Sequence, residues 1–208
     1  MSIVLHGVAA GKGIAIGHAH LITRGTTEVP QYDIDPDKLD AEVARFDNAI
    51  KATRKELEQL RGAIPENAPT ELGAFISLHL MLLTDVTLSR EPIDILREQK
   101  INAEWALKQQ SDKLAAQFDS IDDDYLRERK QDMLQVVRRI HNNLVGQSHE
   151  INLAGNLFDD TVLIAHDLSP ADTVLFKEQH ITAFVTDDGG PTSHTAILGR
   201  SLDIPSVI

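Results

Sequence analysis

Between Leu39 and Leu60 apolar side chains recur at alternating steps of four and three: Leu39, Val43, Phe46, Ile50, Thr53, Leu57 and Leu60. Such a seam, held for about three heptads, predicts a long helix that buries one stripe against other helices. Asp35 followed by Pro36 reads as its start, with a capping residue ahead of proline in the first turn. Gly62 and Pro65 end it. A chain built around this segment needs a helical layer of its own. The question is how much of the remainder joins that layer.

The next stretches join it. A second helix fits Thr70 to Thr84, with Leu72, Phe75, Ile76, His79, Leu80 and Leu83 on one side. Pro92 to Arg97 reads as a short helical piece, and Asn102 to Phe118 as a third long helix. A fourth begins near Asp122-Asp123-Asp124, where acids favour a helix N-terminus. It carries Leu126, Met133, Val137, Ile140 and Leu144, and Gly146 stops it. Two antiparallel helical hairpins are the simplest arrangement of these helices.

The ends of the chain have another texture. The opening, Ile3 to Ile22, is small, β-branched and punctuated by glycine, and reads as strand, turn, strand. Gly11, Gly13 and Gly17 miss the dinucleotide-binding spacing by one residue and no helical pattern follows them, so they read as turn and close-packing positions. Thr161 to Ala165 and Ile181 to Thr186 are buried-strand runs. Ser169-Pro170-Ala171-Asp172 opens a short helix between them. Ser206-Val207-Ile208 reads as a strand just begun. Strands alternating with short helices argue for an α/β unit. The two ends therefore pair into one α/β domain, residues 1–31 and 148–208, interrupted by an inserted helical domain, residues 32–147. The fold class expected is α/β + α.

Bulk properties narrow the function. The 208 residues carry a formal charge of -12 and no cysteine. Disulfides and thiolate metal sites are excluded, and nucleic acid is a poor electrostatic partner. No apolar run approaches the ~20 residues that span a bilayer, and the N-terminus lacks a signal-peptide pattern. A cytoplasmic protein without membrane or nucleic-acid partners is expected.

The chemistry concentrates in Asp187-Asp188-Gly189-Gly190-Pro191-Thr192-Ser193-His194-Thr195. Gly189 and Gly190 free the backbone for a turn, and Thr192 or Ser193 can cap the helix that follows. His194 then lies in the first turn, beside unpaired backbone N–H groups that favour an anion and disfavour an imidazolium. A neutral imidazole among N–H and O–H donors suits attack on phosphorus, with Thr192, Ser193 and Thr195 holding the phosphoryl oxygens. Physics alone leaves a structural histidine open as well. A metal site is weak, because His166, His180 and Asp188 show no helical ligand spacing. A Ser–His hydrolase would want a G-x-S-x-G elbow, which is missing.

The segment GGPTSHTAILGRSLDIP resembles the phosphohistidine signature of the phosphoenolpyruvate-utilising enzymes. The Thr-Ser-His-Thr form resembles the enzyme I branch of the bacterial phosphotransferase system more than the synthases and dikinases. The opening GVAAGKGIAIGHAHLI, the stretches Leu78–Leu83 and Asp123–Arg129, and Ala165–Pro170 are similar to that family too. The resemblance implies a swivelling phosphohistidine domain in which His194 is phosphorylated through Nε2, with Ser169, where threonine is usual, reaching the imidazole. It implies phosphoenolpyruvate as the phosphoryl source with Mg²⁺, both bound in a C-terminal barrel that also dimerises the protein. It implies transfer to the small carrier protein HPr, docked on the helical insert around exposed parts of His79, Met81, Leu82 and Phe118, with Arg129.

Nothing of a barrel's length follows Ile208. The expectation is a monomeric, C-terminally truncated portion with no metal or cofactor bound, able to exchange a phosphoryl group with HPr but not to draw one from phosphoenolpyruvate. Pro191 and Gly199 depart from the commoner residues; Gly199 is expected to weaken its helix by up to ~1 kcal/mol without touching the chemistry. The alternatives are a nitrogen-pathway paralogue, a synthase or dikinase, and a non-catalytic helical interaction module suggested by the heptad seam. The first two would carry a further N-terminal domain, against which Met1 and its opening strand argue.

Overall fold

The computed structural model describes residues 4–22, 29–64, 70–146, 160–166, 168, 181–187, 194–201 and 203–208, without the side chains of 124–128, 194, 198 and 201. The chain divides into two compact units, Met1–Thr26 with Ala63–Phe75 and Glu150–Ile208, and Thr27–Gly62 with Ile76–His149. A helical layer and a small parallel sheet are both present, which is the α/β + α class.

The sheet has four strands in sequence order: β1 (His18–Ile22), β2 (Thr161–Ala165), β3 (Ile181–Thr186) and β4 (Ser206–Val207), every neighbouring pair parallel. β2 and β3 cover the runs that the sequence marks as strands. Their β-branched and apolar residues suit a sheet whose inner positions are covered. Leu163, Ala165, Leu168, Ile181, Phe184 and Ile204 form one buried cluster, with Ile22 packed against it. The opening stretch departs from the strand–turn–strand reading. Among the described residues of this stretch only β1 is a regular strand; before it, a single antiparallel bridge joins Ala9 to Val207. Val8 N–H donates to the carbonyl of Ile208 at 2.7 Å and Ile208 N–H returns to Val8 at 2.9 Å. β4 thus pairs with β3 on one side and with the N-terminal segment on the other.

The glycines of that opening are close-approach positions. A Cβ on Gly17 would lie 2.0 Å from the carbonyl oxygen of Asp160, and one on Gly11 2.1 Å from that of Ile204. No side chain fits either gap, so glycine lets two backbones touch and bond. Gly13 adds a backbone reason, with φ at +121°.

In the helical unit, α1 (Leu39–Gly62) follows a 3₁₀ turn at Pro36–Lys38 and buries Phe46, Thr53 and Leu57 of the predicted seam together with Ala49, while Leu39, Val43, Ile50 and Leu60 are half-buried. Asp35 stands at the cap position, but its side chain makes no capping bond. Past α2 (Thr70–Leu82), Asp85 caps a short α3 (Val86–Ser89) by accepting from Thr87 N–H at 2.8 Å. The sequence reading passed over α3. A helical piece is expected at Pro92–Arg97; α4 runs Glu91–Gln99. α5 (Ala103–Asp119) and α6 (Asp124–Val145) complete the unit, and Gly146, at φ +68°, terminates α6 in the left-handed conformation. On α6 the buried stripe is Met133, Val136, Ile140 and Leu144. It takes Val136 in place of the expected Val137, which is half-buried, so the stripe is turned toward the Val136 side of the helix.

One polar network fixes how these helices meet. Arg45 of α1 donates through all five of its N–H bonds. Two go to Glu104 at 2.7 Å each, two to Glu42 at 2.6 and 3.0 Å, and one to the carbonyl of Leu144 at 3.0 Å. Asn102 donates to Glu104 and to the carbonyl of Pro30, both at 3.0 Å, and accepts from Tyr32 N–H at 3.1 Å. The start of α5, the end of α6 and the chain entering α1 are thereby tied to a single guanidinium. Burial alone would raise the Glu104 carboxyl; the bonds from Arg45 and Asn102, its own backbone N–H and the Arg45 charge outweigh it and hold the pKa at about 2. The hydrogen bonds to Glu104 and Glu42 hold Arg45 above its ordinary value.

Candidate functional site

Parallel strands gather their C-terminal ends at one edge of a sheet, and in open α/β folds ligands bind there. β2 and β3 run in register up to the pair Ala165 and Thr186. The residues that follow are His166 and Asp187, and His166 Nδ1 lies 2.6 Å from Asp187 Oδ1. A carboxylate oxygen only accepts, so Nδ1 is the donor. Two residues further, the carbonyl of Leu168 accepts the hydroxyl of Thr195 at 2.7 Å. Thr195 is the second residue of α7 (His194–Ser201), so this helix opens on His194 beside the chain leaving β2.

His194 is the first residue of α7 that the structure describes. Gly189, Gly190, Thr192, Ser193 and Ser169, together with the helix expected after Ser169, lie outside the described residues. Thr195 corrects its expected role. It is buried and its hydroxyl proton goes to Leu168, so it fastens α7 to the segment after β2 instead of donating to a phosphoryl oxygen. Gly199 has a packing role as well. A Cβ there would lie 2.5 Å from Ser206 Oγ and 2.9 Å from Phe184 Cζ, so the glycine lets α7 seat on β3 and β4. Its cost to the helix has a packing reason.

On the helical unit the expected docking residues separate. Met81 is 61% exposed, whereas His79 is 0% exposed. The residues Ile76, His79, Leu80 and Leu83 follow i, i+3, i+4, i+7 spacing, and the spacing places His79 on the buried stripe. Periodicity, not the resemblance, was the correct guide at that residue, and His79 is withdrawn from the exposed surface. Leu82 and Phe118 are partly buried. Arg129 donates to the buried carboxylate of Asp132 at 3.1 Å.

Sequence reasoning missed the His166–Asp187 pair and the Arg45 network. For the pair a signal existed, since each residue directly follows a strand run. For Arg45 and Glu104, 59 positions apart, no local signal exists. Among the described residues no three His, Cys, Asp or Glu side chains converge. Among the described residues no single helix is long and apolar enough to cross a membrane.

A short parallel sheet and a helical layer in one chain define a two-part α/β and α protein. Residues 6–129 match the N-terminal domain of PEP-utilising enzymes, and residues 157–208 match the mobile domain of PEP-utilising enzymes. The chain belongs to the family of phosphoenolpyruvate (PEP)-utilising enzymes.

Among its relatives, the phosphoenolpyruvate-protein phosphotransferase of Cupriavidus necator is 45% identical over 100% of this chain and 37% of its own length. That of Bacillus subtilis is 36% identical over 98% of this chain and 35% of its own. The chain thus spans a little over a third of the curated relatives it matches. A solution structure of an Enzyme I protein superposes with a TM-score of 0.77 at 36% identity, over 98% of this chain and 82% of that one. The N-terminal domain of a nitrogen-type Enzyme 1 gives a TM-score of 0.65 at 26% identity, over 97% and 81%.

Proposed function

We propose that this chain is the phosphotransfer portion of an enzyme I of the bacterial phosphotransferase system. His194 accepts a phosphoryl group originating from phosphoenolpyruvate and passes it to a histidine of HPr, energising sugar uptake. The observation that carries this reading is that His194 belongs to α7, whose Thr195 is fastened to Leu168 just past the end of β2. The likeness to Enzyme I structures supports it.

The step is an exchange between two imidazoles. The Nε2 lone pair of one attacks phosphorus as the P–N bond to the other breaks, and the phosphoryl group moves without net change of charge. Such transfer is nearly balanced, so positioning supplies most of the rate. Gly189 and Gly190 shape the turn, and Ser169, Thr192 and Ser193 supply hydroxyls to the phosphoryl oxygens or the imidazole. The α/β domain comprises residues 1–31 and 148–208, and the inserted domain, residues 32–147, docks HPr through Met81, Leu82, Phe118 and Arg129. Phosphoenolpyruvate, Mg²⁺ and the dimer contact belong to the part of the relatives beyond this chain. The setting is the cytoplasm and the 208-residue chain is a monomer.

Intact-mass spectrometry after mixing with phosphorylated HPr tests this reading. The expected result is one acid-labile phosphoryl group on the wild-type chain and none on His194→Ala. A folded wild-type chain that gains nothing overturns it.

A further inference from the structure

The chain that leaves β2 is fastened twice within three residues. At its start, His166 Nδ1–H donates to Asp187 Oδ1 at 2.6 Å. At its end, the Leu168 carbonyl accepts from Thr195 Oγ1 at 2.7 Å. The partners in these two contacts are the residue that directly follows β3 and the second residue of α7. They bracket the stretch that holds Gly189, Gly190, Thr192, Ser193 and His194. Both ends of the histidine-bearing stretch are therefore pinned to one short segment of the neighbouring strand's exit.

The two fasteners differ in character. Thr195 is buried, 3% exposed, and its bond belongs to the packing of α7. The side chains of His166 and Asp187 are 72% and 78% exposed. An ion pair so exposed contributes about 0–1 kcal/mol to stability. Folding gains little from it, yet it sits at the root of the stretch whose position matters for transfer. Group transfer is sensitive to such placement, where a displacement of about 1 Å costs on the order of a hundredfold.

We infer that His166 and Asp187 are positioning residues for phosphoryl transfer at His194, acting by holding the near end of the histidine-bearing stretch against the exit of β2. The inference rests on the function proposed above. His166 itself takes no phosphoryl group in this account; its Nδ1 proton stays with Asp187 and it acts through the backbone. The pair works as a unit, so losing either partner has the same effect as losing both.

The test is single-turnover transfer from phosphorylated HPr to the 208-residue chain, giving a maximal rate and a half-saturating HPr concentration. His166→Ala, Asp187→Ala and the double variant are each expected to lower the maximal rate about tenfold, with half-saturation unchanged. His166→Gln, which keeps an N–H donor within reach of the carboxylate, is expected to return within about threefold of wild type. Melting temperatures stay within about 2 °C throughout, since the pair is exposed. The His166 imidazole in the wild-type chain shows the Nδ1–H tautomer in long-range ¹H–¹⁵N spectra, and Asp187→Ala abolishes that preference. An active wild type with single variants within twofold of it overturns the inference and leaves the proposed function standing. So does an additive loss in the double variant. A folded wild type that takes no phosphoryl group overturns both together.

Discussion

Arg45 is the residue on which the helical unit converges, and its partners make that convergence pH-dependent. Glu104 has its carboxyl held at about 2, against an ordinary 4.5. A depressed carboxylate stabilises the fold fully above its unfolded pKa, and that contribution is lost as pH falls through the folded value. The window for Glu104 therefore lies between about pH 4.5 and pH 2. Glu104→Gln keeps the size and one acceptor but removes the charge opposite a half-buried guanidinium. It is expected to cost about 2–3 kcal/mol at pH 7. Urea unfolding at pH 7 and pH 3 checks it: the gap between variant and wild type should shrink at the lower pH, where the unfolded wild-type chain takes up a proton on Glu104 that the folded chain still excludes. A gap that stays constant would mean that the carboxylate charge does not carry the interaction.

At the scale of elements, the parallel sheet depends on backbone contacts that exclude a side chain. His18 N–H donates to the Asp160 carbonyl at 2.8 Å, at the point where β1 meets β2. Gly17 lies against that same carbonyl, 2.0 Å from where its Cβ would be. Relief would have to come from moving backbone, not from rotating a flexible side chain. Gly17→Ala is accordingly expected to destabilise the chain by roughly 1–3 kcal/mol, the range of overpacking in a tight contact. Slowed exchange of the β1 amides in the wild type should disappear in the variant. An alanine that leaves exchange and melting unchanged would show that β1 is not held there.

The elements also show what the sequence could and could not convey. β2, β3 and the buried stripes of α1 and α2 were legible because each is a local pattern: apolar runs between breakers, or apolar residues at helical spacing. The α3 turn was not, since four residues are too few for periodicity and its start depends on Asp85 meeting Thr87. The opening segment was over-read as strand because small and β-branched residues satisfy strand propensity without specifying a partner. Ahead of β1 its pairing among the described residues is one bridge, Ala9 to Val207, almost 200 positions away. In the candidate site, the motif of glycines and hydroxyls ahead of His194 was legible, and those residues lie outside the described ones. The fastening of Thr195 to Leu168 was not, because the same hydroxyl could serve a ligand or a carbonyl until the fold brings one of them near.

For the whole molecule, the apolar surface left in water is as informative as the core. Val4, Leu5, Val8, Ile14, Ile16 and Leu21, all in the first 22 residues, are between 54 and 92% exposed. Hydrophobic stabilisation scales with area removed from water, so an isoleucine that is 92% exposed, as Ile14 is, contributes almost nothing to folding of this chain. Ile204, 8% exposed and part of the cluster under the sheet, contributes about 1.5–3 kcal/mol. Lysine in place of each residue separates the two cases. Ile14→Lys and Ile16→Lys should keep stability within about 0.5 kcal/mol, a melting shift of roughly 1–2 °C for a chain of this size. Removing exposed apolar area should also reduce self-association in sedimentation at high concentration, even though each lysine offsets one unit of the net charge of -12. Ile204→Lys should instead unfold the sheet-bearing unit, because it buries an unpaired ammonium among Leu163, Phe184 and Leu168. Calorimetry on the three variants decides the matter. If Ile14→Lys lowers the melting temperature as far as Ile204→Lys does, the opening segment is buried in solution and its apolar face belongs to the core.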